Sequence, residues 1–212
     1  MYKNQLEEHS ENIFPESTDE HLRVKRVFGR LIPHSGLDLD SWTVHVVNDP
    51  ELGAFVLPNG QVFVYSGMLD FCNRDDELAV VLGHEIAHVL THHVAERVSR
   101  VIALVPVAGI SALTSGIDFD LVDLAVDVAF RYPHMRQHEV EADYLGLLVT
   151  ARSGYDPHAA LDLWTRWEEV EDYTGPSFLR THPSHHDRLT RMVGWLSQAR
   201  VERLVRDVEG MR

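Results

Sequence analysis

The stretch ELAVVLGHEIAHVLTHHVAERVSR, residues 77–100, decides the fold of this chain, because it sets three histidines four residues apart in an otherwise apolar run. These are His84, His88 and His92. Side chains four residues apart lie on one face of an α-helix, about one turn from each other. Because a buried imidazole needs a hydrogen-bonding partner, histidines on one apolar face indicate either a satisfied polar cluster or a metal site.

The same stretch predicts a long helix buried in the middle of the domain. Asn73 is the expected N-cap, and the acidic residues that follow it put negative charge in the first turn, where the helix dipole favours it. We expect the helix to continue to about Arg100. Its apolar residues cover more than one stripe, which is typical of a helix with neighbours on several sides. They are Leu78, Val81, Leu82, Ile86, Val89, Leu90 and Val94.

His84 and His88 flank Glu85 in an H-E-x-x-H motif. Two neutral imidazoles one helical turn apart can bind one tetrahedral zinc ion, and a glutamate between them can take the proton from zinc-bound water. The alternative is a polar helix face on which both histidines bond to neighbouring side chains. His92 is not expected to be a ligand, because about 12 Å of helical rise separates it from His84. It is interpreted as a supporting or partly solvated residue.

The third ligand is expected from another helix. RQHEVEADYLGL, residues 136–147, carries Glu139 and Asp143 four residues apart on one face. Glu139 is the candidate ligand. Asp143, one turn further on, is expected to accept the outer N–H of a ligating histidine and so fix the tautomer of that ring. Glu141 is expected to point away from this face into solvent.

Two further sets of polar residues are candidates for a functional site. His134 and His138 are four residues apart and would form a separate metal site, although histidine-rich surfaces also bind metal without function. RTHPSHHDRL supplies His182, Pro183 and Arg188 at the start of the last predicted helix. These are either donors that stabilise the oxyanion formed when water adds to a carbonyl, or ordinary polar residues at a helix start.

The whole pattern predicts an α+β fold, mainly helical, with a small antiparallel sheet flanking the histidine-bearing helix. Helical spacing from about Asp19 to Leu31 predicts a first helix. Apolar residues alternate with polar ones in SWTVHVVND (41–49), and GAFVLPNGQVFVYSG (53–67) has two runs rich in Val and Phe on either side of Asn59-Gly60. Together these patterns predict two to four strands. Three further helices are expected: from near Pro133 to the segment ARSGYDP, over 157–172 and over 184–208.

Length and composition indicate one folded domain. We expect it to span 19–212 of the 212 residues, after a polar lead-in at 1–18 that has no apolar segment typical of a signal peptide. The formal net charge of −14 argues against nucleic acid or an anionic membrane as an electrostatic partner, because phosphate contacts need clustered Lys and Arg. Cys72 is the single cysteine of the sequence, so it forms no intramolecular disulfide, and it is interpreted as a small core residue.

The segment VIALVPVAGISALTSGI, residues 101–117, carries no charged residue. Its length reaches only the lower limit for a membrane span, and Pro106, Gly109 and Gly116 interrupt it. Two interpretations stay open. Residues 101–130 form either a helical hairpin packed on the domain or a helical insertion that contacts a membrane.

Three motifs together resemble those of a known family: HEIAHVLTHHVAER at 84–97, EVEADYLGLLVTARSGYDPHAALDLW at 139–164 and THPSHHDRL at 181–189. The family is that of the membrane-associated gluzincin metallopeptidases, which carry the HEXXH motif. Within it, the resemblance is to the mitochondrial inner-membrane type, whose activity overlaps that of the m-AAA protease. The resemblance covers about residues 19–196. It implies a zincin-like domain with zinc metalloendopeptidase activity on protein or peptide substrates.

The resemblance also implies residue roles. His84, His88 and Glu139 are the implied ligands of one zinc ion per chain, and Glu85 is the implied general base.

Other residues are implied to assist them. Asp143, Arg136 and Arg188 support the site, and His182 helps to hold the oxyanion during catalysis. An extended substrate backbone is expected to add to an edge strand. The implied substrate-binding residues of that strand are Gly53, Ala54, Phe55 and Val56.

The resemblance implies a setting as well, namely membrane-protein quality control or a stress response at the mitochondrial inner membrane. Contact with the membrane would then involve residues 101–117 or an anchor upstream of Met1, and a soluble homologue without membrane contact is the third option. The alternative is a latent enzyme, or a non-catalytic adaptor stabilised by metal, that needs a partner or a membrane for activity.

Overall fold

The computed structural model describes residues 12–37, 42–56, 60–93, 132–171 and 188–209. Within these ranges the chain is mainly helical with one small sheet, which confirms the expected α+β class. In chain order the elements are α1 (Asp19–Leu31), a 3₁₀ helix (Ile32–His34), β1 (Thr43–Val47), β2 (Ala54–Val56), β3 (Gln61–Tyr65), α2 (Ser66–Phe71), α3 (Asp75–Leu90), α4 (Tyr132–Arg152), α5 (Ala159–Glu171) and α6 (Arg188–Glu209).

Helix α3 lies at the centre of the described structure. It packs against α1, α4, α5 and β2, while α6 closes the other side of α4 and α5. Every residue from Glu77 to His88 is buried, which confirms the expectation of a helix with neighbours on several sides. A central buried helix can hold polar side chains away from water only if they find partners inside the protein.

The sheet is mixed, with strand order β1-β3-β2. Strand β2 pairs antiparallel with β3, as expected, but β1 pairs parallel with β3, so the prediction of a wholly antiparallel sheet is wrong. The reason is the order of the strands in space. After β2 the chain returns as β3, which lies between β1 and β2. Because β3 then runs in the direction of β1, their pairing is parallel.

Helix α3 begins and ends at different residues from those expected. Its N-cap is Arg74, and the Asn73 backbone N–H instead donates to Oε2 of Glu77 at 2.8 Å. The helix ends at Leu90 and does not reach Arg100. The hydroxyl of Thr91 donates back to the carbonyl of Ala87 at 2.8 Å, and the next residue turns into the left-handed region. Such a residue stops the regular i to i−4 hydrogen bonding of the helix.

The other expected helices are present. The N-cap of α1 is Thr18, whose side chain accepts a hydrogen bond from the backbone N–H of His21. Helix α4 begins at Tyr132 and ends at Arg152, and Gly154 follows it with φ 80°, as the ARSGYDP segment predicts. Helices α5 and α6 agree with their predicted ranges within a few residues.

Cys72 is buried in the core. Burial raises the pKa of its thiol to about 12, so the thiolate that a nucleophile needs is not formed near neutral pH. None of the helices in the described ranges has the length and apolarity needed to cross a bilayer. The segment at 101–117 lies outside those ranges.

Candidate metal centre

Helices α3 and α4 approach each other closely at two glycines. A Cβ added to Gly83 would lie 2.8 Å from the carbonyl oxygen of Gly146, and a Cβ added to Gly146 would lie 2.8 Å from the backbone nitrogen of His84. The hydroxyl of Thr150 lies in the same crossing and donates to the carbonyl of Gly146 at 2.8 Å. The absence of side chains at both glycines therefore lets the polar face of α4 reach the histidines of α3.

Three side chains from these helices meet at one point. His84 and His88 extend from α3 and Glu139 extends from α4, and all three are buried. Their possible ligand atoms lie within 4.8 Å of one another, and no other such group of three exists in the ranges that the structure describes. The expected pairing of the H-E-x-x-H helix with a distal glutamate is therefore present in the fold.

The distances among these atoms fit a bound metal ion. Nε2 of His84 is 3.0 Å from Nε2 of His88 and 3.2 Å from Oε2 of Glu139, while Nε2 of His88 is 3.3 Å from Oε1 of Glu139. Ligands at the usual zinc distances of about 2.0–2.1 Å in a tetrahedron are separated by roughly 3.3 Å. Two imidazole nitrogens and one carboxylate form a donor set that zinc prefers. The residues present therefore fit the ion that the motif implies.

Asp143 lies beside the outer nitrogen of the first histidine. Its Oδ1 lies 3.0 Å from Nδ1 of His84, on the side of the ring opposite Glu139. Arg188 donates two hydrogen bonds of 2.6 Å to the same carboxylate, from Nε and from Nη2. The guanidinium of Arg188 in turn lies over the ring of Trp164, 3.6 Å from its centroid. This buried chain holds His84 with Nε2 facing the site.

The charges around the site favour a cation. Burial by itself lowers the pKa of His84, but the charge of Glu139 and the hydrogen bond with Asp143 outweigh it and raise this pKa to about 9. Burial would raise the pKa of Asp143, but Arg188 and His84 hold it below its ordinary value. The carboxylate of Asp143 thus remains ionised and stabilises positive charge on the neighbouring His84.

The second histidine has a neighbour that we did not expect. Nδ1 of His88 lies 3.0 Å from Nδ1 of His93, a buried residue whose ring stacks on His138 with 4.0 Å between centroids. Burial and the nearby His138 lower the pKa of His93, so it is neutral at neutral pH. His92, which sequence reasoning considered, is exposed after the end of α3. Helical spacing could not identify His93 as a neighbour of His88, because α3 ends at Leu90.

The other residues singled out in the sequence differ in how far they are buried. Glu85 is buried on α3 with an exposed fraction of 3%. Arg136 is exposed at the surface of α4 and is not buried beside Glu139. Glu141 is exposed as expected, although its Oε2 lies 3.4 Å from Nε2 of His93. His182 lies outside the residues that the structure describes.

The proposed substrate strand is at the edge of the sheet. Residues Gly53 and Ala54–Val56 precede and form β2, the outer strand beside β3, and β2 packs against α3. The carbonyl of Gly53 accepts a hydrogen bond from the backbone N–H of Tyr65 at 2.9 Å, and a Cβ at Gly53 would collide with the Tyr65 ring. A larger residue where this strand begins would therefore displace that ring.

A central helix with H-E-x-x-H, crossed by a second helix that supplies a glutamate, defines a zincin-like metallopeptidase domain. The family model described as Peptidase family M48 matches residues 18–196, and the chain belongs to that family.

Curated relatives agree with this assignment. The mitochondrial metalloendopeptidase OMA1 of Schizosaccharomyces pombe is 36% identical over 97% of this chain and 62% of its own length. The human mitochondrial metalloendopeptidase OMA1 is 32% identical over 93% of this chain and 41% of its own length. The beta-barrel assembly-enhancing protease of Escherichia coli is 28% identical over 76% of this chain and 35% of its own length. The chain thus spans less than two thirds of the length of these relatives.

Proposed function

We propose that this chain is a zinc-dependent metalloendopeptidase that hydrolyses peptide bonds in protein substrates. The observation that carries the proposal is the buried convergence of His84, His88 and Glu139, with Glu85 beside the first of them. Membership of peptidase family M48 supports it, and so do the names of the related mitochondrial metalloendopeptidases. No observation favours the non-catalytic adaptor.

In the proposed mechanism, His84, His88 and Glu139 hold the zinc ion, and Asp143 keeps the first ring oriented. Zinc bound there would polarise the scissile carbonyl and lower the pKa of a water molecule. Glu85 takes the proton of the attacking water and returns a proton to the leaving amine. His182 donates a hydrogen bond to the oxyanion that develops on the former carbonyl.

The substrate is proposed to bind as an additional strand. An extended peptide would pair with the outer edge of β2 from Gly53 to Val56, so that backbone hydrogen bonds supply affinity irrespective of the side chains. The position of β2 at the sheet edge and its packing against α3 support this proposal. Arg188 assists through its two hydrogen bonds to Asp143. Arg136, exposed one turn before Glu139, is proposed to assist from the rim of the site.

The setting of the enzyme is also a proposal. The names of its relatives support a mitochondrial location, and a role in protein quality control or stress response at the inner membrane is consistent with them. Residues 19–212 are proposed to form one metallopeptidase domain, with 101–130 as an insertion that contacts the membrane. The uncharged sequence of 101–117 supports this contact. Flotation with liposomes, with and without residues 101–130, tests it, and equal flotation contradicts it.

The experiment that tests the activity combines zinc analysis with a cleavage assay on the same samples. Wild type, Glu85→Gln and Glu168→Gln are purified, zinc is measured by elemental analysis, and casein or a quenched peptide is used as substrate. Glu168 is an exposed carboxylate on α5, so its variant controls for loss of a negative charge. We expect one zinc per chain in all three proteins, and cleavage by wild type and Glu168→Gln only.

The possible outcomes separate the hypotheses. Undiminished cleavage by Glu85→Gln would contradict the role of Glu85. One zinc per chain without cleavage by any variant would favour a latent enzyme or an adaptor. Folded protein that binds no zinc at stoichiometric concentration would overturn the proposed function.

A further inference from the structure

We propose that His93 is a positioning residue that fixes the orientation and tautomer of His88, and that Glu141 completes a second chain of hydrogen bonds from the metal site to the protein surface. The inference rests on the proposed zinc site, since it assigns a role toward a metal held by His88. It concerns residues to which the H-E-x-x-H motif gives no role.

The geometry of His88 carries the first step. Its Nε2 faces Glu139 at 3.3 Å, and its Nδ1 lies 3.0 Å from Nδ1 of His93. A histidine that binds a metal through Nε2 must keep the lone pair there, so its ring proton is on Nδ1. His88 therefore donates from Nδ1, and His93 must accept at its own Nδ1.

The tautomer of His93 follows from that of His88. When Nδ1 of His93 accepts a hydrogen bond, the proton of the neutral ring is on Nε2. Nε2 of His93 lies 3.4 Å from Oε2 of Glu141, whose side chain is 55% exposed. Glu141 can accept this N–H while it remains in contact with water. With the ring proton on Nδ1 of His88 and on Nε2 of His93, each contact has one donor and one acceptor. His88 donates to His93, and His93 donates to Glu141.

The end of α3 explains how His93 reaches this position. Residues five apart on a continuous helix differ by about 140° around the axis, so His93 could not face the outer nitrogen of His88 if the helix continued. Instead α3 ends at Leu90, and His92 adopts φ 55°. The left-handed residue interrupts the helix directly before His93, whose ring packs flat against that of His138 on α4, with 14° between the ring planes.

The two ligand histidines are therefore supported in different ways. Nδ1 of His84 meets a buried carboxylate, Asp143, that Arg188 holds with two hydrogen bonds. Nδ1 of His88 meets a neutral ring, and the carboxylate behind that ring is at the surface. We expect His93 to contribute more to zinc affinity than Glu141, because water can replace an exposed acceptor.

Zinc affinity tests the inference without depending on activity. The full chain is compared with His93→Phe, His93→Gln and Glu141→Gln by competition with a chromophoric chelator. His93→Phe retains a flat ring against His138 but removes the acceptor, and we expect it to weaken zinc binding about 10–100-fold, the usual effect of losing such a partner. His93→Gln has an amide oxygen that can accept, so it should recover part of the loss. Glu141→Gln should weaken binding by less than His93→Phe.

His158→Phe is the matched control, because His158 is an exposed histidine directly before α5 whose ring contacts the carboxylate of its neighbour Asp156, away from the metal site. Its zinc affinity should equal that of wild type. Folded His93→Phe with wild-type zinc affinity would overturn the inference. If wild type itself binds no zinc, the proposed function fails as well, so the two failures are distinguishable.

Histidine tautomers give a second test that does not need a variant of His93. Zinc-loaded Glu85→Gln, which is expected to bind zinc without cleaving itself or other chains, is labelled with ¹⁵N and its imidazole N–H correlations are recorded. We expect a proton on Nδ1 of His88 and on Nε2 of His93. A proton on Nδ1 of His93 would overturn the inference, even if His93→Phe fails to fold.

Discussion

Gly83 and Gly146 face each other across the crossing of α3 and α4, so closely that a Cβ on either one would lie 2.8 Å from a backbone atom of the opposite helix. The contact lies immediately before His84 and three residues after Asp143 in sequence. It therefore sets the distance between the helices where their polar side chains meet. Backbone atoms cannot rotate away as the end of a flexible side chain can, so this separation allows no larger residue without movement of a helix.

Gly146→Ala is predicted to separate the two helices and weaken the metal site. We expect a loss of stability of about 1–3 kcal/mol, typical of overpacking, together with weaker zinc binding, because Glu139 and Asp143 move with α4. Chemical unfolding and chelator competition measure the two effects. Gly194→Ala on α6 is the control, since a Cβ there meets nothing within 4 Å, and it should leave zinc affinity unchanged. Equal behaviour of the two variants would contradict this account.

Asp143→Asn is predicted to destabilise the fold and weaken the metal site together. It leaves the charge of Arg188 buried without its two carboxylate hydrogen bonds, which at buried pairs costs about 3–5 kcal/mol. The double variant Asp143→Asn with Arg188→Met also removes the buried charge that has lost these two hydrogen bonds, and it should recover much of the stability. It should not recover zinc affinity, because His84 still lacks its carboxylate. Recovery of both properties in the double variant would show that Asp143 acts through stability alone.

Asp75 is predicted to make stability depend on acid pH. Burial would raise the pKa of Asp75, but hydrogen bonds from Arg26 and Arg23 on α1 outweigh it and lower this pKa below its ordinary value of 3.8. Because the folded-state pKa is the lower one, the ionised carboxylate stabilises the protein above about pH 4. This contribution is lost as the pH falls through the folded-state pKa.

The test compares unfolding free energies of wild type and Asp75→Asn from pH 7 to pH 2. We expect the variant to be less stable at pH 7 by about 1 kcal/mol or less, since partly exposed ion pairs contribute little. The difference should shrink as the pH falls below about 4. Asp70→Asn, which changes an exposed carboxylate on α2, should show no such trend. A difference that stays constant with pH would argue against the ion pairs with Arg23 and Arg26.

Cys72 is predicted to be unreactive in the folded protein. Its burial and its pKa of about 12 leave almost no accessible thiolate at pH 8. Because the sequence has one cysteine, labelling with iodoacetamide reports on this residue alone. We expect labelling only after denaturation, and proteolysis that thiol reagents do not inhibit. Rapid labelling of folded protein would contradict the burial of this thiol.

The sequence by itself determined the features that depend on local spacing. The spacing of His84 and His88, and of Glu139 and Asp143, places each pair on one helix face because helical geometry is the same in every protein. The long helices were predictable for the same reason. A motif of this kind also indicates which metal ion it binds, since few ions prefer two imidazoles and a carboxylate as ligands.

The tertiary structure decided what depends on contacts between distant segments. The mixed sheet follows from β3 lying between β1 and β2, which strand patterns do not reveal. His93 reaches His88 only because α3 ends at Leu90, and Arg188 lies over Trp164 only because α5 and α6 pack together. Gly83 and Gly146 were visible in the sequence as isolated glycines in helical patterns. Their role in the close approach of α3 and α4 is seen only in the tertiary structure, because spacing along one helix holds no information about which residue of another helix lies opposite.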